Sequence, residues 1–485
     1  MCRLPASWCL HVPTRYVRVG AYMYLLATCS WMLTCTYSPR SSVCVCLHLI
    51  TPYACVCVFT CTHSLARVCV FTCTHSLARV CSVMCASTFW DWDECPILSP
   101  GCDSNPAKSF RARVRSFVDS EITPFAAIWE SGKTFDANAL ISKAVAAGIY
   151  GSTWPEEVGG TPALGLPVLL ADFILNDELA RSGSGGVLAC AFVSLAIGLP
   201  PLASTGGLVS PVETREIIRS VVTGQKRIAL AVTEAFGGSD VAAGRCFAKR
   251  VNDEFLLNGE KTFITGGLSA DYLTVSAKTD LGLSLFLVNS KSEGISRFRL
   301  ETQGWRTSET TRIVFDNVRV PATRLMGKEG AGFKPVMENF NHERWLLAVH
   351  ANRFSRNCLE DAIAYARVRK TFGKRLIDHQ VIRHKLAEMS RVILATHANS
   401  MQIMALLGDK SRSAAGPTAL FKVQATKTFE FCAREASQVL GGKSFLTGDG
   451  PGGRIERAYR DVRVYAIGGG SEEILLDLAA KQAKL

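Results

Sequence analysis

Val232-Thr233-Glu234-Ala235-Phe236-Gly237-Gly238-Ser239-Asp240 is the stretch on which the reading of this chain turns. The apolar run that leads into it has strand character, and the paired glycines predict a turn. Glycine lets backbone amides approach a ligand closely, and the hydroxyls of Thr233 and Ser239 can hydrogen-bond the polar atoms of a flat cofactor. Taken alone, the segment is equally an ordinary β-turn. Its surroundings decide.

Further strand-like runs follow at Phe255 to Leu257, Tyr272 to Ala277, Leu283 to Val288 and Arg312 to Phe315, each bounded by Gly, Asn or Asp. Upstream the pattern is helical. Phe110, Val114, Phe117 and Val118 recur at helical spacing, and helical patterns cover Asp136 to Ala147 and Leu166 to Arg181. Downstream, long helical patterns span Phe333 to Arg369, Gln380 to Leu407, Pro417 to Leu440 and Ser471 to Lys481, which pack best as a bundle. The expected fold is an α+β multidomain chain: a helical domain at 105–227, a β domain at 228–327 and a helical bundle at 328–485.

Residues 1–104 differ in kind. No acidic residue precedes Asp91, and CVFTCTHSLARV at 57–68 recurs unchanged at 69–80. A 12-residue unit is too short for a solenoid repeat that buries its own core. An Arg-bearing targeting segment, a membrane segment in the charge-free run 41–66, or translated simple-repeat DNA all fit. An unstructured or misannotated leader is the expectation, since Pro52 and scattered His and Thr weaken a span. Fifteen of the 19 cysteines lie at or before Cys102, which argues against a disulfide framework in the remaining body, and no paired C-x-x-C with partner histidines suggests a metal. The net charge of +12 is spread without a dense Lys or Arg run, so no nucleic-acid track is expected.

Five ordered motifs carry a resemblance. Val232 to Asp240 resembles the V-T-E-x-x-x-G-S-D flavin motif of the acyl-CoA dehydrogenase family. Lys261-Thr262-Phe263-Ile264-Thr265 is similar to its K-x-W/F-I-T segment, and RVRKTFGK at 367–374 to its R-K-T-F-G-K motif. Gln438-Val439-Leu440-Gly441-Gly442 resembles its Q-x-x-G-G turn, and Trp154 to Gly160 its W-P-x-E-x-G-G loop. The resemblance covers residues 105–485 and implies FAD as cofactor. It implies that Val232, Thr233, Ser239, Phe263, Ile264 and Thr265 line the flavin, with Ser239 also near the CoA moiety. It further implies cofactor contacts at Arg369, Thr371, Phe372, Gln380, Gln438, Gly442, Ser471 and Glu473, of which Arg369 and Gln438 reach the FAD of a neighbouring subunit. A guanidinium suits a pyrophosphate because its fork donates paired hydrogen bonds. A homodimer or homotetramer follows.

Removing hydrogen from Cα and Cβ of an acyl thioester needs a carboxylate for the α proton while the flavin takes the hydride. Many relatives carry that Glu in a Y-E-G-T motif, but here the corresponding stretch is Ile467-Gly468-Gly469-Gly470-Ser471, with Gly469 in the carboxylate's place. A second branch, resembling the long-chain and isovaleryl enzymes, places the base on the earlier bundle helix. Glu343 answers that description, with Val336, Phe340, Leu346, Leu347 and His350 on the same helical face. Desolvation there predicts a raised pKa. By the resemblance Arg344, Asn341 and His342 adjoin the substrate. The lost Tyr and Glu predict room for longer or branched acyl chains.

The implied activity is FAD-dependent α,β-dehydrogenation of an acyl-CoA in fatty-acid or branched-chain acyl oxidation, with electron-transfer flavoprotein as acceptor. Two alternatives stand beside it: an oxygen-using acyl-CoA oxidase, for which Ala483-Lys484-Leu485 resembles a peroxisomal signal, and a flavin-retaining nucleic-acid-binding protein of the same fold. The expected location is the mitochondrial matrix or a peroxisome-like organelle, without stable membrane insertion.

Overall fold

The computed structural model describes residues 99–132, 135–409, 411–448 and 450–485, together with four strands near the N-terminus. Those strands, β1 (Leu33–Tyr37), β2 (Cys44–Ile50), β3 (Cys55–Cys61) and β4 (Cys69–Thr72), pair in sequence order as an antiparallel meander. The expectation of an unstructured leader meets strands here because alternating Val and Cys favours a pleated backbone. Residues 99–104, at the end of the expected leader, are among those described. The rest of the leader lies outside the described residues. Ser99 and Cys102 are buried, and Ser99 Oγ lies 2.7 Å from His397 Nε2.

The body begins with helices α1 (Asn105–Phe117), α2 (Ala126–Glu130), α3 (Ala137–Ala146), α4 (Val168–Leu179), α5 (Gly185–Val193), α6 (Pro200–Ser204) and α7 (Pro211–Val222). Local chemistry starts several of them. Ser104, Asp136, Ser184 and Ser210 each accept a backbone N–H from the first turn, and Pro106 and Pro211 sit where a missing N–H costs nothing. Gly185–Ser204 is long and apolar enough to cross a membrane, but most of it is buried inside the protein. A charge cluster ties α1 and α4 to the later bundle. Arg111 Nη1 donates to Asp177 Oδ2 at 2.8 Å and Glu178 Oε1 at 2.7 Å, and Arg353 Nη1 reaches Asp177 Oδ2 at 3.4 Å.

The β domain is an eight-stranded sheet formed by β5 (Ile228–Ala231), β6 (Phe247–Val251), β7 (Glu254–Ile264), β8 (Tyr272–Thr279), β9 (Gly282–Asn289), β10 (Ile295–Arg299), β11 (Thr311–Pro321) and β12 (Leu325–Met326). The spatial order is β10-β11-β7-β6-β8-β9-β12, and β5 runs parallel to β8. The strand expected at Phe255 to Leu257 extends to Ile264, passing through Asn258-Gly259, which reads as a break. Gly259 holds φ +135°, and a Cβ there would lie 2.7 Å from Cys246 Cα, so only glycine lets the two backbones approach. The core of this domain is a single apolar cluster that includes Phe255, Leu257, Ile264, Leu273, Phe286 and Ile313.

The bundle comprises α8 (Phe333–Val368), α9 (Gln380–Gly408), α10 (Ala415–Leu440), α11 (Gly453–Ile467) and α12 (Glu472–Ala483). Helix α11 has no counterpart among the expected elements. Its polar text hides Ile455, Ala458, Val462, Tyr465 and Ala466, which are buried on one stripe. Between α8 and α9 a hairpin, β13 (Lys370–Thr371) and β14 (Lys374–Arg375), turns at Phe372-Gly373 with φ of +50° and +78°. Two positive φ values in a two-residue loop match the strand twist of a tight hairpin.

Candidate active site

The glycine turn after β5 is welded to the sheet by one buried ion pair. Lys261 Nζ, on β7, donates to Val232 O at 2.9 Å, Glu234 Oε1 at 2.7 Å and Ser276 Oγ at 3.2 Å. Glu234 also accepts the backbone N–H groups of Arg245 and Cys246. Burial would raise the Glu234 carboxyl, but the Lys261 ammonium and those amides hold it below the ordinary carboxylate value. Thr262 N donates to Thr233 O at 2.9 Å, so the two motifs lie side by side. Neither Lys261 nor Glu234 was among the residues singled out in the sequence. The motif letters K and E were the signal.

This pairing leaves a distinct set of groups at the surface. Phe263 ends β7 in the left-handed region, at φ +58°, with 66% of its surface exposed. A buried Ile264 follows it, then a half-buried Thr265. Val232 is buried, Thr233 half-buried, and Ser239 exposed on the turn. An exposed ring flanked by hydroxyls and glycine amides fits a flat, polar-edged cofactor such as FAD. An aromatic held in a strained conformation and left uncovered is otherwise an unfavourable arrangement.

Glu343 lies on α8, and its Oε2 is enclosed with no hydrogen-bond partner. Burial pushes its carboxyl up to about 7, although Arg344, Lys422 and His342 oppose the shift. Gly469, at φ +67°, stands opposite. A Cβ built there would lie 3.9 Å from Glu343 Oε1 and 2.8 Å from Leu347 Cδ1. The position that carries the carboxylate in Y-E-G-T sequences therefore abuts the Glu343 carboxylate from the other side of the seam. Leu347 occupies the near part of the volume that the missing side chain releases.

The residues around Glu343 hold that seam. Arg344, expected beside the substrate, is engaged by protein: its Nε donates to Gly469 O at 2.8 Å and its Nη1 to Asn341 Oδ1 at 3.0 Å. Lys422, fully buried on α10, donates to Ala466 O at 2.9 Å and Gly470 O at 2.8 Å. Two cationic side chains thus grip the backbone of the glycine turn from both flanks. Burial lowers Lys422 to about 8. Lys422 was not anticipated, because nothing local in the text around it marks a binding residue.

His342 borders a cavity of about 340 Å³ between α4, α5 and the start of α8, whose wall also includes Tyr150, Trp154, Asp172, Leu175, Phe192 and Asn339. Glu343 is not part of that wall. The Trp154 to Gly160 loop thus meets the bundle here. His342 Nε2 lies 2.7 Å from Asp172 Oδ2. Burial opposes its protonation, but the Asp172 carboxylate prevails and raises its pKa. Asn176 Nδ2 donates to Asp172 Oδ1 at 2.8 Å, and Asn176 Oδ1 meets His350 Nε2 at 2.8 Å. Burial lowers His350 to about 4. The face read as apolar therefore carries a neutral histidine in a hydrogen-bonded chain.

The remaining expected cofactor residues form a second, open group. Arg369, Phe372 and Gln380 are exposed around the β13–β14 hairpin, Phe372 by 96%, and Thr371 is half-buried. Gln438 and Gly442 are exposed where α10 ends, beside Phe445 at 87%. Ser471 is half-buried at the start of α12, and Glu473 in its first turn is exposed. Hydrogen bonds from its own backbone and from Ser471 hold the Glu473 carboxyl below its usual value.

Comparison with known proteins converges on one family. The N-terminal, middle and C-terminal domains of acyl-CoA dehydrogenases match residues 104–207, 229–318 and 330–484. An acyl-CoA dehydrogenase of Alternaria alternata is 35% identical over 395 residues, covering 77% of this chain and 90% of the relative. The mitochondrial long-chain specific acyl-CoA dehydrogenase of Rattus norvegicus is 32% identical, with 77% and 85% covered. The crystal structure of a probable acyl-CoA dehydrogenase from Mycobacterium abscessus superposes with a TM-score of 0.73 at 34% identity, covering 78% of this chain and 99% of that one.

Proposed function

The chain belongs to the acyl-CoA dehydrogenase family, whose members are FAD-dependent oxidoreductases, and from that premise we propose that it dehydrogenates an acyl-CoA thioester between Cα and Cβ, with Glu343 as the base. The observation that carries this reading is the Glu343 carboxylate: enclosed at Oε2, unpartnered there, and raised to about 7. A general base works best when its pKa lies near the operating pH, and an unpaired buried oxygen is free to accept a proton. When bound, FAD supplies the acceptor for the hydrogen that leaves Cβ. Glu343 takes the α proton. Arg344 and Lys422 hold the glycine turn beside it.

The product is the trans-2-enoyl thioester, and the electrons pass to an electron-transfer flavoprotein. The setting is fatty-acid or branched-chain acyl oxidation in an organelle, in keeping with the mitochondrial relative. A homo-oligomer completes the cofactor site through Arg369 and Gln438, which a single chain leaves exposed.

Anaerobic mixing with acyl-CoA tests the proposal. The wild-type flavin bleaches, whereas Glu343→Gln stays yellow and is reduced about 10²–10⁴-fold more slowly. Reduction within a few-fold of wild type would remove Glu343 from the mechanism. Stoichiometric peroxide release in air would assign an oxidase instead.

A further inference from the structure

Gly468-Gly469-Gly470 joins α11 to α12, and consecutive glycines give a backbone the greatest freedom it can have. Gly469 and Gly470 hold φ of +67° and +112°. Such a turn keeps one shape only if its peptide groups are held from outside. Cations on two different helices hold them. Gly469 O accepts from Arg344 Nε of α8 at 2.8 Å. Lys422 Nζ, from α10, donates to Ala466 O in the last turn of α11 at 2.9 Å and to Gly470 O at 2.8 Å. Carbonyls at a helix C-terminus lack intrahelical partners, and their dipoles favour a cation. Lys422 thus ties the end of α11 to the far side of the turn, and Gly469 lies between its two contacts.

That turn faces the base. A Cβ at Gly469 would lie 3.9 Å from Glu343 Oε1, so the place of the turn fixes one wall around the carboxylate. Lys422 is fully buried, and a buried ammonium acts on its surroundings through a low dielectric. Burial raises the Glu343 carboxyl, and the charges of Arg344, Lys422 and His342 oppose that rise. Arg344 and His342 adjoin Glu343 along α8, whereas Lys422 arrives from α10. The charged groups that act on Lys422 in turn are Glu472 and Glu473 of α12 and Glu343 and Arg344 of α8. Of these, Glu472 is shared with Lys427 at 3.2 Å, and Glu473 is exposed.

We propose that Lys422 is a positioning residue for the base: its ammonium pins the glycine turn against Glu343 and supplies, from a second helix, a positive field in which the carboxylate forms. The proposal rests on Glu343 as the base and adds a group outside α8 that sets its proton affinity. Two separable effects follow, one of charge and one of hydrogen bonding.

The test is an infrared pH titration of the FAD-loaded, full-length protein, following the carboxylic C=O band that Glu343→Gln removes. Stopped-flow flavin reduction by acyl-CoA is measured over the same pH range. Lys422→Gln keeps N–H donors without the charge, and Lys422→Met keeps neither. In both variants the Glu343 midpoint should rise from about 7 to about 8, and reduction near neutral pH should slow about tenfold. Raising the pH should restore most of the loss in Lys422→Gln, whereas Lys422→Met should stay about tenfold slower because its turn is released. A midpoint that moves by less than about 0.3 in Lys422→Gln would overturn the proposal, as would an equal loss of rate at every pH, the mark of a merely structural residue. Full recovery of Lys422→Met at high pH would overturn the positioning role. Should Lys422→Met not fold, the Lys422→Gln midpoint decides alone. The infrared band needs no turnover, so the two readings part: a midpoint that shifts while Glu343→Gln still bleaches at the wild-type rate removes Glu343 as the base and leaves the hold of Lys422 on it intact.

Discussion

Two regions expected to serve one cofactor are built in opposite ways. Around Val232, Lys261 and Glu343 the chain closes on itself: a buried ion pair, two grips on a glycine turn, and a carboxylate with one oxygen enclosed by protein. Around Arg369, Phe372 and Gln438 the same chain leaves its groups open. The first region is held rigid by contacts within one polypeptide, as a reacting geometry requires. The second presents an aromatic tip and a guanidinium to whatever adjoins it, the composition of an interface anchor. On the proposed function, proton chemistry would be independent of assembly, while cofactor retention would depend on it.

The largest effect should come from breaking the closed region. Lys261→Met leaves Glu234 buried without its ammonium partner, and removal of one member of a buried pair costs about 3–5 kcal/mol. Urea unfolding of the variant should show a loss of that size. A loss under about 1 kcal/mol would mean that the Arg245 and Cys246 amides alone hold the turn. Next in size is the pH dependence. With Glu343 at about 7, the rate of flavin reduction should fall about tenfold per unit below neutrality and level off above it.

Stability follows the opposite sign. The folded pKa of Glu343 lies above its ordinary value of 4.5, so its contribution to stability is intact below that pH and is lost as pH rises through about 7. Glu343→Gln should therefore gain on wild type in thermal unfolding above neutral pH and match it in acid. A constant difference across the range would place the titration elsewhere. The smallest effect on folding belongs to the open region. Arg369→Ala and Phe372→Ala should each change monomer stability by less than about 0.5 kcal/mol, yet lower flavin content and the oligomer fraction on size exclusion. A large loss of stability with flavin retained would reverse the contrast between the two regions.

Much of the architecture was legible because it rests on local text. Caps at Ser104, Asp136 and Ser184, glycine turns and apolar periodicity act within a few residues. The expected order of helical domain, sheet and helical bundle is what the fold shows. Helix α11 escaped because its apolar stripe is interleaved with Arg, Glu and Asp, and β7 was cut short at a glycine that serves as a close-approach point. Periodicity also misread His350, since a neutral, hydrogen-bonded histidine occupies an apolar face as readily as leucine does.

By itself the sequence determined the family, the order of domains, and Glu343 as the acid on an apolar helical stripe. Only the tertiary structure decided that Gly469 abuts that carboxylate, that Arg344 and Lys422 hold the turn, and that His342 is locked to Asp172. Arg344 and Gly469 are 125 positions apart, and His342 and Asp172 are 170 apart. Hydrogen bonds and desolvation depend on distance in space. A pattern read along the chain reports which face a residue occupies, but not which partner arrives there from elsewhere.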